Sequence, residues 1–176
     1  LALYRAKNEG RRTFRFFEEE MDKRSQERRS LEFDLGMALQ KHELELCYQP
    51  LMNVANGRPT GFEALIRWNH PERGLISPSV FIPIAEQTGL IKSIGKWVLH
   101  EACRAAATWP DDVTVAVNLS ARQFDTDKIV STVKDALEKS GLNPARLELE
   151  ITESLLIDNL EAVSKTLHAL KALGVS

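Results

Sequence analysis

Hydrophobic positions along this chain fall into two rhythms, and the change between them sketches the elements. Leu44-Glu45-Leu46-Cys47-Tyr48-Gln49 alternates as a strand does, and Pro50–Ala55 and Thr60–Trp68 predict two further strands around the turn Asn56-Gly57. Ser77-Pro78 predicts a helix start, with Ser as cap and Pro at the first helical position. That helix runs to about Gln87, with Gly89 placed to stop it, and residues 94–108 predict another. The order then becomes strand, helix, strand, helix. Val113–Val117 is followed by the capping-box pattern Ser120-Ala121-Arg122-Gln123, and Ile129, Val133, Ala136 and Leu137 share one helix face before Gly141. Leu147–Ile151 is followed by the cap Asp158-Asn159, and Leu160, Val163, Leu167 and Leu170 line the next helix, which Gly174 ends. Val175-Ser176 reads as the first step of another strand.

Repeated strand–helix units with nearly continuous apolar strands imply a parallel sheet with helices outside it. A closed eight-unit barrel takes about 250 residues, and about four units fit in this chain. The fold class is therefore α/β, either a (β/α)8 TIM-like barrel of which the chain covers only the first half, or an open α/β sheet.

Residues 1 to about 41 differ. Ala2–Lys7 reads as a helix end closed by Gly10, and Thr13–Phe17 as a short strand. Glu18–Lys41 reads as one charged helix, acids first and bases later, with Leu31, Leu35 and Leu39 as a thin apolar stripe. It is expected to be a connecting helix with a solvated face. Pairing with a copy of itself is the sharper alternative. The basic residues Arg11, Arg12, Lys23, Arg24, Arg28 and Arg29 are interleaved with acids, which argues against a nucleic-acid surface.

Composition narrows the classes. The 176 residues are 43% hydrophobic and 27% charged, with a net charge of -2, as in an ordinary folded domain without a pull toward nucleic acid or membrane. Neither a signal peptide nor an apolar run near 18 residues is visible. The chain opens at Leu1 and reads as a piece of a longer cytoplasmic protein. Cys47 and Cys103 lie in apolar settings and are expected to be buried structural thiols. His42, His100 and His168 are expected on the surface and His70 in a turn, without metal-ligand spacing.

The candidate chemistry lies in polar groups placed in strands. Glu63 ends an apolar run, Asn118 follows Val113–Val117, and Glu150 and Glu153 fall at or just past the end of Leu147–Ile151. Ligands of parallel α/β folds bind at the carboxyl ends of strands. Glu and Asn oxygens are hard donors suited to Mg2+ or Mn2+, and two such ions could clamp a phosphodiester. Arg67, expected just beyond the strand end, could hold a phosphate oxygen. Each has a plainer reading: a solvated strand-end acid at Glu63, a turn cap at Asn118, and a half-exposed strand at Glu148 and Glu150.

At these residues the chain resembles the EAL family of cyclic di-GMP phosphodiesterases. The match runs through Tyr48-Gln49-Pro50, Glu63-Ala64-Leu65-Ile66-Arg67-Trp68, His70-Pro71, Gly74-Leu75-Ile76 and Phe81–Glu86. It continues through Gly89-Leu90-Ile91, Asn118-Leu119-Ser120 and Glu150-Ile151-Thr152-Glu153-Ser154, so the ordered series spans residues 43–176. The resemblance implies a modified TIM barrel over residues 42–176. It implies Glu63, Asn118 and Glu150 as metal ligands, Glu63 and Glu153 as catalytic residues, and Glu153 steadying a loop beside the metals. It implies Gln49, Leu65 and Arg67 as substrate contacts. The implied reaction is Mg2+- or Mn2+-dependent hydrolysis of cyclic di-GMP to linear pGpG. In the family a paired-aspartate loop, a lysine and a glutamate follow the segment seen here. Residues 1–20 resemble the tail of a GGDEF domain, which makes 21–41 a linker helix. A catalytically inactive EAL domain that binds cyclic di-GMP is the alternative, and a purely structural role in a homodimer is a third.

Overall fold

β2 (Pro59–His70) organises the molecule, because it is long enough to pair with different partners along its length. The computed structural model describes residues 19–124, 128–151 and 160–176. β1 (Leu44–Met52) runs antiparallel to β2, β3 (Gly74–Ile76) pairs antiparallel with its far end, and β4 (Thr114–Leu119) lies parallel to its first half. β5 (Leu147–Ile151) is parallel to β4, giving the order β1-β2-β4-β5. Ser176 then bonds to both Leu147 O and Leu149 N, at 3.0 and 2.8 Å, so the predicted next strand does begin beside β5.

The alternation of each strand separates two faces. Ala64, Trp68, Val115, Val117, Leu119 and Leu147 are buried under helices and join one core with Phe81, Ile94, Leu99 and Val133. These helices are α2 (Pro78–Thr88), α3 (Ile91–Ala106), α4 (Lys128–Ser140) and α5 (Leu160–Ala172). The intervening positions, Gln49, Glu63, Leu65, Arg67, Ala116, Asn118, Glu148 and Glu150, lie on the opposite, concave face. The predicted helix stops at Gly89 and Gly141 are left-handed, at φ 80° and 71°.

Several expectations need correction. Pro50–Ala55 is not a separate strand: β1 continues to Met52, and a turn at Asn53–Gly57 leads into β2. The sheet is mixed, since a hairpin rather than a crossover helix joins its first two strands. Ser77 makes no side-chain cap bond; its hydroxyl pairs with Ser79 Oγ at 2.8 Å. The capping box at Ser120 forms as expected but opens a single 3-10 turn, Ala121–Gln123.

α1 (Glu19–Ala38) packs one side of its last turns against the rest of the fold. Leu35 and Ala38 are buried in the core, and Arg28 bonds to Gln87 on α2. His70 is buried rather than sitting loosely in a turn: its Nδ1 accepts the Glu72 and Arg73 amides, and its Nε2 stands 3.3 Å from Asp34 on α1. With Nδ1 an acceptor, the proton belongs on Nε2, where it points to the carboxylate. His100 is half-buried, 3.2 Å from Asp135 on α4. Cys103 is buried as expected, and burial pushes its thiol up to about 12. Cys47 is exposed, because its strand parity turns it to the concave face. The segments read as a GGDEF tail, the strand Thr13–Phe17 and the cap Asp158-Asn159 lie outside the described residues, apart from the first turn of α1.

Candidate functional site

Strand parity and register assemble the site. Gln49 on β1 is the cross-strand partner of Glu63, and Leu65 and Arg67 follow Glu63 on the same face of β2. Ala116 lies beside Glu63 on one side and Glu148 on the other, and Asn118 is paired with Glu150. Ala116 thus puts only a methyl group between the positions of Glu63 and Glu148. Asn118 Nδ2 donates to Glu63 Oε1 at 2.7 Å, which joins β2 to β4 through their side chains. An amide that spends an N–H in this way retains its carbonyl oxygen as an acceptor.

The electrostatics agree with the geometry. Partial burial holds the Glu150 carboxyl above its usual range, and the nearby Glu63 and Glu148 carboxylates add to the shift. Glu63, Glu148, Glu150 and the Asn118 oxygen are hard donors on adjacent strands, although among the described residues no three acidic, histidine or cysteine side chains stand close enough together to hold a metal ion.

The structure thus brings Gln49, Glu63, Leu65, Arg67, Asn118 and Glu150 onto one face. Glu153 lies outside the described residues. Two positional expectations fail. Glu63 does not end its strand, and Arg67 is not beyond it, because β2 runs on to His70. What stops after Ala64 is the pairing with β4, whose register with β2 covers only Gly61–Ala64 against Thr114–Val117. Glu63 is therefore at the mouth between two diverging strands, a position that a linear apolar run cannot distinguish from a strand end.

Where β2 and β4 separate, a cavity of about 280 Å3 opens toward α2 and α3, lined by Leu65, Arg67, Ile82, Glu86, Asn118 and Ser120 among others. Sequence reasoning passed over Glu86 as one more helix residue and read Ser120 only as a cap. A lone acid on an otherwise apolar helix segment, Phe81-Ile82-Pro83-Ile84-Ala85-Glu86, was the available signal. Among the described residues no helix is long and apolar enough to cross a membrane.

Comparison with known proteins fits this geometry. The family model for the EAL domain matches residues 33–176. An uncharacterized signaling protein of Caulobacter vibrioides is 49% identical over 175 residues, 99% of this chain and 22% of that protein. The bifunctional diguanylate cyclase/cyclic di-GMP phosphodiesterase MucR of Pseudomonas aeruginosa is 46% identical over 178 residues, 99% of this chain and 26% of its own length. This chain therefore spans about a quarter or less of these curated relatives. Among solved structures, the PaMucR phosphodiesterase in complex with c-di-GMP aligns with a TM-score of 0.80 at 46% identity, covering 84% of this chain and 61% of that one. The open arc of strands and outer helices is thus part of a TIM-like barrel, and the chain belongs to the EAL domain family.

Proposed function

We propose that this chain forms the metal-holding and substrate-binding part of a phosphodiesterase that hydrolyses cyclic di-GMP to linear pGpG. The observation that supports this most is the 2.7 Å bond from Asn118 to Glu63, with Glu150 in register beside Asn118. Glu63 and Asn118 are thus joined side chain to side chain, and Glu150 is the register neighbour of Asn118 on the next strand. Glu63, Asn118 and Glu150 would hold Mg2+ or Mn2+; such an ion, when bound, supplies Lewis acidity toward a phosphoryl oxygen and acidifies water. Arg67, on the same face as Glu63, presents a guanidinium suited to a phosphate oxygen. Gln49 and Leu65 flank Glu63 and would contact the nucleotide. Glu153 is assigned the steadying of a loop beside the ions. Relatives named as cyclic di-GMP phosphodiesterases, MucR among them, support the substrate class.

On the same reading the parent is a cytoplasmic tandem GGDEF–EAL protein, with residues 1–20 as the GGDEF tail and 21–41 as the linker helix. Cyclic di-GMP is its ligand, and a homodimer is its further partner.

The test is chromatographic detection of pGpG after incubating the full-length protein with cyclic di-GMP and Mn2+, beside Glu63→Ala. Product from the wild type and none from the variant is the expected result. Equal turnover by the variant would remove Glu63 from the chemistry. Binding without hydrolysis under any divalent metal would leave a receptor instead of an enzyme.

A further inference from the structure

We infer that Glu86 is a positioning residue for this site: through Ser120 it fixes the end of β4 and thereby the amide of Asn118. The inference rests on the phosphodiesterase reading above and names a residue to which no role has been given there.

The need arises from the topology. The β2–β4 ladder ends at Ala64 and Val117, one residue before Asn118. On its β2 side, Asn118 is thus past the last backbone pairing, although β5 still holds it on the other. Residues at a diverging strand end are free to twist unless something else restrains them.

That restraint converges on Ser120. Ser120 Oγ donates to Glu86 Oε1 at 2.7 Å, a bond to a carboxylate that crosses from the residue just after β4 to α2. The same hydroxyl accepts the Arg122 amide at 3.2 Å. The Ser120 amide donates to Gln123 Oε1 at 2.9 Å, and the Gln123 amide returns to Ser120 O at 2.9 Å. Gln123 is itself buried against α3 at Gly95, where an added Cβ would stand 2.1 Å from its Nε2. α2, α3 and the 3-10 turn therefore grip one residue, two positions beyond Asn118.

Glu86 is the member of this bracket that local structure does not require. The capping box would close the turn without it. Its half-buried carboxylate instead lines the mainly apolar cavity beside Arg67 and Asn118. A tether from one helix to the strand end sets the height and rotation of Asn118, and hence the distance between its amide and Glu63. Misplacing a group of this kind by about 1 Å costs up to about 100-fold in rate, and groups that orient metal ligands are worth about 10–100-fold in metal affinity or activity.

The test uses full-length wild type, Glu86→Ala, Glu86→Gln, Ser120→Ala and the Glu86→Ala/Ser120→Ala double variant. Two readouts are taken: kcat and KM for cyclic di-GMP with Mn2+, and Mn2+ affinity by calorimetry without substrate. Thermal melting establishes that each variant is folded. Glu86→Ala and Ser120→Ala are each expected to lower kcat about tenfold or more, to weaken Mn2+ binding by a similar factor and to leave KM within about threefold. The double variant should be no worse than either single one, since both cut the same tether. Glu86→Gln keeps an oxygen acceptor for Ser120 Oγ and should restore most of kcat. Folded Glu86→Ala with wild-type kcat and wild-type Mn2+ affinity would overturn the inference while leaving the phosphodiesterase reading in place. A Glu86→Gln variant as impaired as Glu86→Ala would overturn it too, because charge rather than the tether would then matter. If wild type hydrolyses nothing, the phosphodiesterase reading fails, and the Mn2+ affinities alone decide whether the bracket positions the site. Wild type that neither hydrolyses nor binds Mn2+ overturns both.

Discussion

Arg146 offers a stability prediction with a magnitude that the structure defines. Its guanidinium is buried, 7% exposed, at the end of the sheet opposite the site. Nε donates to Val113 O at 2.9 Å and Nη2 to Ala106 O at 2.8 Å, with a weaker reach to Trp109 O at 3.4 Å. Asp111 is 3.6 Å away but fully exposed, so it adds little. Ala106 is the last residue of α3, so the cation also meets the negative end of that helix. Arg146→Met keeps most of the stem and removes two good charged hydrogen bonds, each worth about 1.5 kcal/mol at the low end of the range. The expected loss is about 3 kcal/mol, because carbonyls at the helix end lose their donor where water has little access. For a domain of this size each kcal/mol is worth about 2–4 °C in melting temperature, so the shift is roughly 6–12 °C downward. Arg146→Lys should recover only part, since one ammonium cannot span carbonyls on two segments. Scanning fluorimetry of the full-length protein measures the shift, and kcat/KM at low temperature should stay unchanged because residues at this end of a barrel serve stability. A melting shift below about 2 °C for Arg146→Met would refute the reasoning, as would a selective loss of activity in a fully folded variant.

Other outcomes follow from the same geometry. Trp68 is fully buried, donates from Nε1 to Glu43 at 3.0 Å and meets Phe81 edge-on at 5.7 Å, so Trp68→Ala should cost about 3–5 kcal/mol in a urea titration and Trp68→Phe clearly less. Alkylation followed by peptide mass spectrometry should label exposed Cys47 in the native protein and leave Cys103 unmodified until the protein unfolds, since burial pushes that thiol up to about 12. The hydrogen bond from Lys139, with help from charges including His100, holds the Asp135 carboxyl below its usual range. A depressed carboxylate contributes stability above the ordinary Asp value of about 4 and loses it as pH falls through the lower folded value. Asp135→Asn should therefore lower stability modestly at neutral pH, where the contribution is fully present, and leave stability well below about pH 4 little changed, so that the acid limb of the stability–pH profile flattens. Because the Asp135 side chain still reaches solvent, added salt should shrink this difference.

Local physics wrote much of this fold into the chain. Apolar spacing of 3.6 placed Ile129, Val133, Ala136 and Leu137 on the buried face of α4, and the left-handed glycines after α2 and α4 stop those helices as their positions require. The period of two in Leu147–Ile151 put Glu148 and Glu150 on one face before any partner strand was known. The residue types of the site, acids and an amide embedded in apolar strands, were equally visible.

Tertiary structure decided what those residues face. Register made Asn118 the neighbour of Glu150 and brought its amide to Glu63, contacts between positions 32 and 55 residues apart that no local pattern encodes. The divergence of β4 from a β2 that continues to His70 put Glu63 at a mouth rather than at an end. The same long-range packing buried His70 against Asp34, left Cys47 exposed on the concave face and tied Glu86 to Ser120. Propensity and periodicity act over a turn or a strand, so the sequence alone determined the elements and their faces. Pairing and docking join distant segments through side chains whose partners exist only once the sheet has formed, and these decided the site.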